Sequence, residues 1–177
     1  PVNDPPTIVL PESFTFEEDE SLLVDFTGYV DDIDEDGLTL TVSDNDSITV
    51  DIASFDVTFG AVQNWHGTET LTFTVNDNQG RAIASDDVNI IVSPVNDAPV
   101  LADIVAQDID EDESLTIAIS ASDVDDTELN LSASSDNDAV SVSIHGDELT
   151  MTPGPDYFGT ANVTVTVSDG FLTDSET

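Results

Sequence analysis

Apolar and polar residues alternate along most of this chain. Leu22, Val24 and Phe26 fall on one face of an extended segment, with Leu23, Asp25 and Thr27 between and after them. Leu38, Leu40 and Val42 repeat the pattern, as do Phe55, Val57 and Phe59, then Leu71, Phe73 and Val75, then Val88, Ile90 and Val92. A period of two, rich in β-branched residues and Thr, marks half-buried strands. No stretch carries a helical period. Asp, Asn and Gly cluster between the runs, where tight turns need them. Strands are therefore expected at A (7–16), B (21–27), C (38–43), D (47–52), E (55–59), F (70–76) and G (86–92). Short strands joined by such turns predict an all-β fold, a seven-stranded antiparallel Greek-key sandwich.

The second half repeats the first. Pro1-Val2-Asn3-Asp4-Pro5-Pro6 returns as Pro94-Val95-Asn96-Asp97-Ala98-Pro99, an interval of 94 − 1 = 93 residues. Leu115, Ile117 and Ile119 match the Leu22 strand, and Leu129 and Leu131 match Leu38 and Leu40. Val140, Val142 and Ile144 follow, Leu149 and Met151 match Val57 and Phe59, and Val163, Val165 and Val167 match Leu71, Phe73 and Val75. Repetition at this length implies whole domains in tandem rather than a solenoid. The expected modules are 1–93 and 94–177. After Val167 and the turn Ser168-Asp169-Gly170 nothing resembles Val88–Val92, so the second module is expected to lack its last strand. The simplest account is a chain that stops short. A sharper one is a strand donated by another copy of the chain.

Charge changes the picture most. Asp and Glu number 39 against one basic residue, Arg81, a formal net charge of −38. Disorder is the plain expectation for so acidic a chain, but the regular alternation argues against it. A saline habitat is compatible with everything below. Phosphate backbones need Lys and Arg, so nucleic acid is excluded as a partner. An anionic membrane surface is excluded on the same ground, and no apolar run approaches the roughly 20 residues of a membrane span. There are no cysteines, so small domains here need another staple than disulfides.

The acidic residues recur as sets in both modules. Glu17-Glu18-Asp19-Glu20 and Asp110-Glu111-Asp112-Glu113 lie between strands A and B. Asp31-Asp32-Ile33-Asp34-Glu35-Asp36 and Asp123-Val124-Asp125-Asp126 lie between B and C. Asn76-Asp77-Asn78-Gln79-Gly80 and Ser168-Asp169-Gly170 form the FG turns, and Asn3-Asp4 and Asn96-Asp97 precede each module. If strands alternate in direction, the BC and FG loops share a pole with the Asn-Asp pair, and the AB and EF loops share the other. Six to eight oxygen ligands are what calcium takes. One site is expected to gather Glu18 or Glu20 with Asn96, Asp97, Asp123, Asp125 and Asp169. Asn3, Asp4, Asp32, Asp34 and Asp77 form the equivalent half-set of module 1. Without thiolates, and with His66 and His145 unmatched between the copies, zinc and copper are poor candidates.

Ala121-Ser122-Asp123-Val124-Asp125-Asp126, Val167-Ser168-Asp169-Gly170 and Asn96-Asp97 resemble the acidic loops and linker of cadherin repeats. The Pro-Val-Asn-Asp-Ala-Pro joint, the Glu-Asp-Glu before strand B and the Asp-Tyr-Phe-Gly turn resemble bacterial cadherin-like tandem repeats. The resemblance implies cadherin/Ig-like sandwiches and bound calcium. It further implies a non-enzymatic role as a calcium-rigidified rod in a secreted or bacterial cell-surface adhesin, with neighbouring repeats as partners. It also implies a ligand at Asn64 in the EF loop. The match is incomplete: Pro94 and Ala98 stand where cadherins carry further oxygen ligands, and His66 and Phe158 replace a Glu. Fewer ions at each joint are expected. Two other readings stay open. One is a filament subunit joined by strand donation. The other is a carbohydrate-binding module whose Trp65 stacks on surface glycans, although Trp65 and Tyr157 equally suit aromatic plugs at the EF corner.

Overall fold

The structure, a computed structural model, describes residues 3–79 and 83–177. Pro1 and Val2 of the first joint copy, Gly80 of the FG turn, Arg81 and Ala82 lie outside the described residues. The chain divides into two compact units, Pro1–Val95 and Asn96–Thr177. Each is an all-β sandwich.

Unit 1 contains β1 (Thr7–Ile8), β2 (Ser13–Glu17), β3 (Leu22–Asp25), β4 (Val30–Asp31), β5 (Thr39–Val42), β6 (Ile48–Ala53), β7 (Asp56–Ala61), β8 (Gly67–Asn76) and β9 (Ile83–Ser93). One sheet has the order β3-β7-β6 and the facing sheet the order β2-β9-β8-β5, while β1 pairs with β4. The ladders are antiparallel except that β2 runs parallel to β9, from Ser13 opposite Asn89 to Glu17 opposite Ser93. The expected strand A is thus two strands. The break falls at Val9–Glu12, where Pro11 has no amide to give a ladder and Leu10 donates instead to the Asp86 carboxylate at 2.8 Å. Strand B also ends early. Asp25 caps a single 3-10 turn, Phe26–Gly28, by accepting from the Thr27 amide. That turn drives Phe26 into the centre of the core, where its ring lies 4.8 Å from Phe73 and close to Phe14 and Phe59. Phe26, Phe59 and Phe73 are fully buried, each contributing about 1.5–3 kcal/mol by leaving water.

Unit 2 contains β10 (Val100–Leu101), β11 (Leu115–Ala118), β12 (Ala121–Ser122), β13 (Asn130–Ser135), β14 (Val140–His145), β15 (Glu148–Pro153), β16 (Val163–Ser168) and β17 (Thr173–Glu176). Its sheets are β11-β15-β14 and β13-β16-β17, with β10 paired to β12. The core is smaller and free of aromatic rings: Leu101, Ile119, Leu149, Met151, Val165 and Val167. One expectation is corrected here. The last strand is not wholly lacking, because β17 forms over Thr173–Glu176, with Asp174 opposite Val167 and Glu176 opposite Val165. Thr-Asp-Ser-Glu has no apolar alternation to announce it. It pairs because the β16 backbone needs partners and because Asp174 accepts the Leu101 amide at 2.8 Å. It is four residues long where β9 has eleven, and residues 102–114 contain no counterpart of β2.

Candidate metal centres

The strand directions bring three acidic segments of unit 1 to one pole. Asp32 begins the β4–β5 loop and turns its carboxylate back on that loop. Its Oδ1 accepts from the amides of Asp34 (2.9 Å) and Asp36 (3.2 Å). Its Oδ2 is buried and has no hydrogen-bond partner. Ligand oxygens of Asp32, Asp34 and Asp36 all lie within 4.8 Å of one another. Asp77, in the turn after β8, is 1% exposed. It accepts from the Asn3 side-chain amide at 2.7 Å and from the Gln79 backbone at 2.9 Å. The Asn3 bond, helped by the Gln79 amide and weakly opposed by burial, holds the Asp77 carboxyl below its ordinary range. Asp4 donates its backbone amide to Asp34 Oδ2 at 2.7 Å. The N-terminal segment therefore locks both loops.

Unit 2 builds the same arrangement one period later. Asn96 donates to Asp169 Oδ2 at 2.8 Å, and the Asp97 amide donates to Asp125 Oδ2 at 2.7 Å. Asp123 Oδ1 accepts from the amides of Asp125 (2.8 Å) and Asp126 (2.9 Å), while its Oδ2 is buried without a hydrogen-bond partner. Asp169 Oδ1 also receives the amides of Phe171 and Leu172 at 2.6 Å each. Its carboxyl is likewise held low, first by Asn96 and then by the Phe171 amide.

A different set closes the opposite pole of unit 1. Glu18 is 2% exposed, and its Oε1 accepts the Val95 amide at 2.7 Å. Its Oε2 has no hydrogen-bond partner, and the His66 imidazole stands 3.7 Å away through Nδ1. Asn64 takes a left-handed backbone (φ 59°), donates its amide to Asp19 at 3.2 Å and buries its side-chain oxygen. Glu20 is exposed in the turn after β2. Unit 2 repeats the backbone frame, with Asp156 (φ 56°) donating to Asp112 at 3.0 Å, but Glu111 is exposed where Glu18 is buried.

Within unit 1, Asn3, Asp4, Asp32, Asp34 and Asp77 come together as one cluster. Within unit 2, Asn96, Asp97, Asp123, Asp125 and Asp169 do so. Glu18 and Asn64 belong to the other pole of unit 1, and Glu20 is exposed in the turn beside them. Sequence reasoning passed over Asp36 as a site member, although it closes the 32–36 carboxylate trio; its place at the end of the acidic run was the available signal.

An isolated buried carboxylate oxygen is costly, and several carboxylates in one loop repel. Both features fit a hard cation with oxygen ligands. Asp32, Asp34, Asp36 and Asp77, with Asn3, would hold it in unit 1; Asp123, Asp125 and Asp169, with Asn96, would do so in unit 2. The aromatic pair behaves as corner plugs. Trp65 packs against the core with its ring 3.1 Å from where a Cβ on Gly67 would sit. The Tyr157 hydroxyl donates to the Thr160 carbonyl and receives the Asn137 amide.

A family model described as a bacterial Ig domain matches residues 3–92 and again 96–177. No curated protein matches the chain in sequence. Among solved structures, human protocadherin-24 EC1-2 is similar at 14% identity and a TM-score of 0.58, over 99% of this chain and 95% of that one. Drosophila N-cadherin EC1-4 is similar at 18% identity and a TM-score of 0.56, over 98% of this chain and 48% of that one. An endo-fucoidan hydrolase of glycoside hydrolase family 107 aligns at 20% identity and a TM-score of 0.46, and this chain spans 27% of its length. At these identities the likeness is one of fold.

Proposed function

The chain belongs to the bacterial Ig domain family, as two copies in tandem, and from that premise we propose that each unit binds calcium at its N-terminal pole and that the ion stiffens a row of such repeats. One observation carries the reading. An aspartate whose Oδ2 is buried and outside any hydrogen bond recurs at the same place in both units, as the buried Asp32 and the half-buried Asp123, beside an Asn-Asp segment and a second buried or half-buried aspartate. Turn chemistry alone explains the Oδ1 atoms, which accept amides, and leaves the Oδ2 atoms unexplained.

The residues of the chain divide the labour. Asp32 and Asp123 shape their loops through Oδ1 and leave Oδ2 for a cation. Asp77 and Asp169 are held ionised by Asn3 and Asn96, and so remain ligands in mild acid. Asp34 and Asp125 bind the Asp4 and Asp97 amides, which couples each loop to the segment entering its unit. When bound, calcium supplies positive charge that offsets the carboxylate repulsion. Glu18 extends the set at the far pole of unit 1: it holds the Val95 amide, and Asn96 is the next residue in the chain. A row of repeats bound in this way would be stiff with calcium and pliant without it. Loop sites of this kind suit the roughly 10⁻⁴–10⁻³ M affinities of extracellular modules. A secreted or surface-attached bacterial adhesin, with the repeats as spacer, is the setting we infer; the role is non-enzymatic.

Isothermal titration with calcium, paired with melting in chelator, tests the proposal. Heat of binding that vanishes in the double variant Asp32→Asn, Asp123→Asn is expected. Titration without heat, together with identical melting in chelator and millimolar calcium, would overturn it.

A further inference from the structure

Among the described residues the buried carboxylates are Glu18, Asp32 and Asp77, and Glu18 alone of these lies away from the N-terminal pole of unit 1. Its backbone amide donates to the Ser93 carbonyl at 2.9 Å, and its Oε1 takes the Val95 amide at 2.7 Å. These two bonds to the end of β9 and the residues after it fix the carboxylate. Its Oε2 is then left buried, without a hydrogen-bond partner, 3.7 Å from His66 Nδ1. His66 is held as firmly. Trp65 before it packs against the core and donates its amide to the Val62 carbonyl at 3.0 Å, and Gly67 after it opens β8 opposite Val92. The histidine side chain itself is half exposed.

Hydrogen bonds span about 2.7–3.2 Å, so the pair at 3.7 Å is too far apart to make one. The separation instead suits two ligands of one metal ion. Zinc holds a His nitrogen and a carboxylate oxygen at about 2.0–2.2 Å, which sets such ligands about 3.4 Å apart at the tetrahedral angle. At the 3.7 Å observed the angle opens to about 120°. An ion there would also give the buried oxygen the partner it lacks. Calcium takes oxygen ligands and has little use for an imidazole, whereas zinc accepts both groups.

We propose that Glu18 Oε2 and His66 Nδ1 are the protein ligands of a zinc site, one per chain, in unit 1 at the end away from its acidic N-terminal pole. Water completes the coordination. Unit 2 has Phe158 where unit 1 has His66, so the site does not recur. The lack of a matching histidine counts against zinc at a site shared by both units, and is what a site peculiar to one unit requires. Bound zinc ties the turn after β2 to the turn before β8 and, through Glu18, to Val95. It neither needs nor disturbs an ion at the N-terminal poles; Glu18 is the one residue shared with the calcium reading.

The test uses the whole chain in millimolar calcium, which occupies the exposed carboxylates. Zinc is titrated in and followed by calorimetry and by the imidazole resonances, of which two histidines give two assignable sets. His145, which stands opposite the exposed Glu148 on the β14–β15 hairpin, controls for zinc at any histidine beside a carboxylate. Saturation at one zinc per chain is expected, with the His66 resonances shifted and those of His145 unmoved. His66→Gln and Glu18→Gln, the second of which keeps an oxygen for the Val95 amide, should each weaken zinc by about tenfold or more, since even a supporting hydrogen bond to a ligand counts on that scale. Calcium binding should be unchanged in His66→Gln, and zinc binding unchanged in the double variant Asp32→Asn, Asp123→Asn. His66 is half exposed, so His66→Gln should melt as the natural chain does in chelator. Resonances of His66 that stay put, or that move together with those of His145, would overturn the proposal. So would zinc affinity unaltered in His66→Gln, or zinc displaced from His66 by calcium, which would leave the pair an ion pair only.

Discussion

Replacing Asp32 by Asn should stabilise unit 1 without calcium and destabilise it with calcium. The variant keeps Oδ1, so the Asp34 and Asp36 amides retain their acceptor. It changes only the buried Oδ2, which has no hydrogen-bond partner, into an amide nitrogen. Two unit charges 4 Å apart repel by about 1 kcal/mol in water and about 4 kcal/mol at an effective dielectric of 20. The Asp32, Asp34 and Asp36 oxygens lie within 4.8 Å of one another, and Asp34 is exposed. The low end of that range applies, and losing the Asp32 charge relieves about 1–2 kcal/mol in chelator. With calcium at a hundred times its Kd, the natural pole gains about 2.7 kcal/mol that the variant forgoes. The difference then reverses to a loss of roughly 1 kcal/mol. For a unit of this size, 1 kcal/mol moves the melting temperature by about 4–8 °C. Calorimetry in chelator and in calcium reads both signs, and Asp123→Asn should act likewise on unit 2. A change of the same sign in both buffers would refute the reasoning, because a purely structural aspartate has no cause to invert.

Three other outcomes follow from the geometry. Asp77 and Asp169 have lowered carboxyl pKa values, so their stabilisation is complete above the unfolded carboxylate pKa near 4 and is lost as pH falls through the lower folded values. Melting in chelator should therefore drop below about pH 4, and Asp77→Asn with Asp169→Asn should flatten that drop. Glu69 is half-buried, which raises its pKa, but the amides of Asp46, Ser47 and Ile48 donate to it at 2.7, 2.9 and 2.9 Å and lower it overall. Glu69→Ala should cost about 2 kcal/mol in urea unfolding, discounted for its exposure and equal with and without calcium. Trp65→Ala should cost about 2–3 kcal/mol through lost packing at the corner, and glycan-array binding should be the same for both proteins.

The period-two alternation made the sandwich and its repeat legible before any coordinates, because burial on one face of a strand leaves that trace in the residues. Reasoning from strand direction put the BC and FG loops at one pole with each Asn-Asp pair; the individual bonds of Asn3 to Asp77 and of the Asp97 amide to Asp125 are findings of the structure. Three features were not legible. The split of strand A depends on the competition of Asp86 for the Leu10 amide, a contact 76 positions away in the chain. β17 is all polar and exists because β16 offers it a ladder. The third is the burial of Glu18, which depends on the Val95 amide, a contact 77 positions away in the chain.

The central claim is that calcium stiffens the joint between the units. Because the chain has no cysteine, Thr15→Cys and Ser143→Cys give two unique attachment points on exposed strand positions, one in each unit. Pulsed electron spin resonance between spin labels at these sites reads the distribution of distances. A broad distribution in chelator that narrows in millimolar calcium, and stays broad in Asp123→Asn, is the predicted result. A distribution of equal width in both buffers would contradict the account.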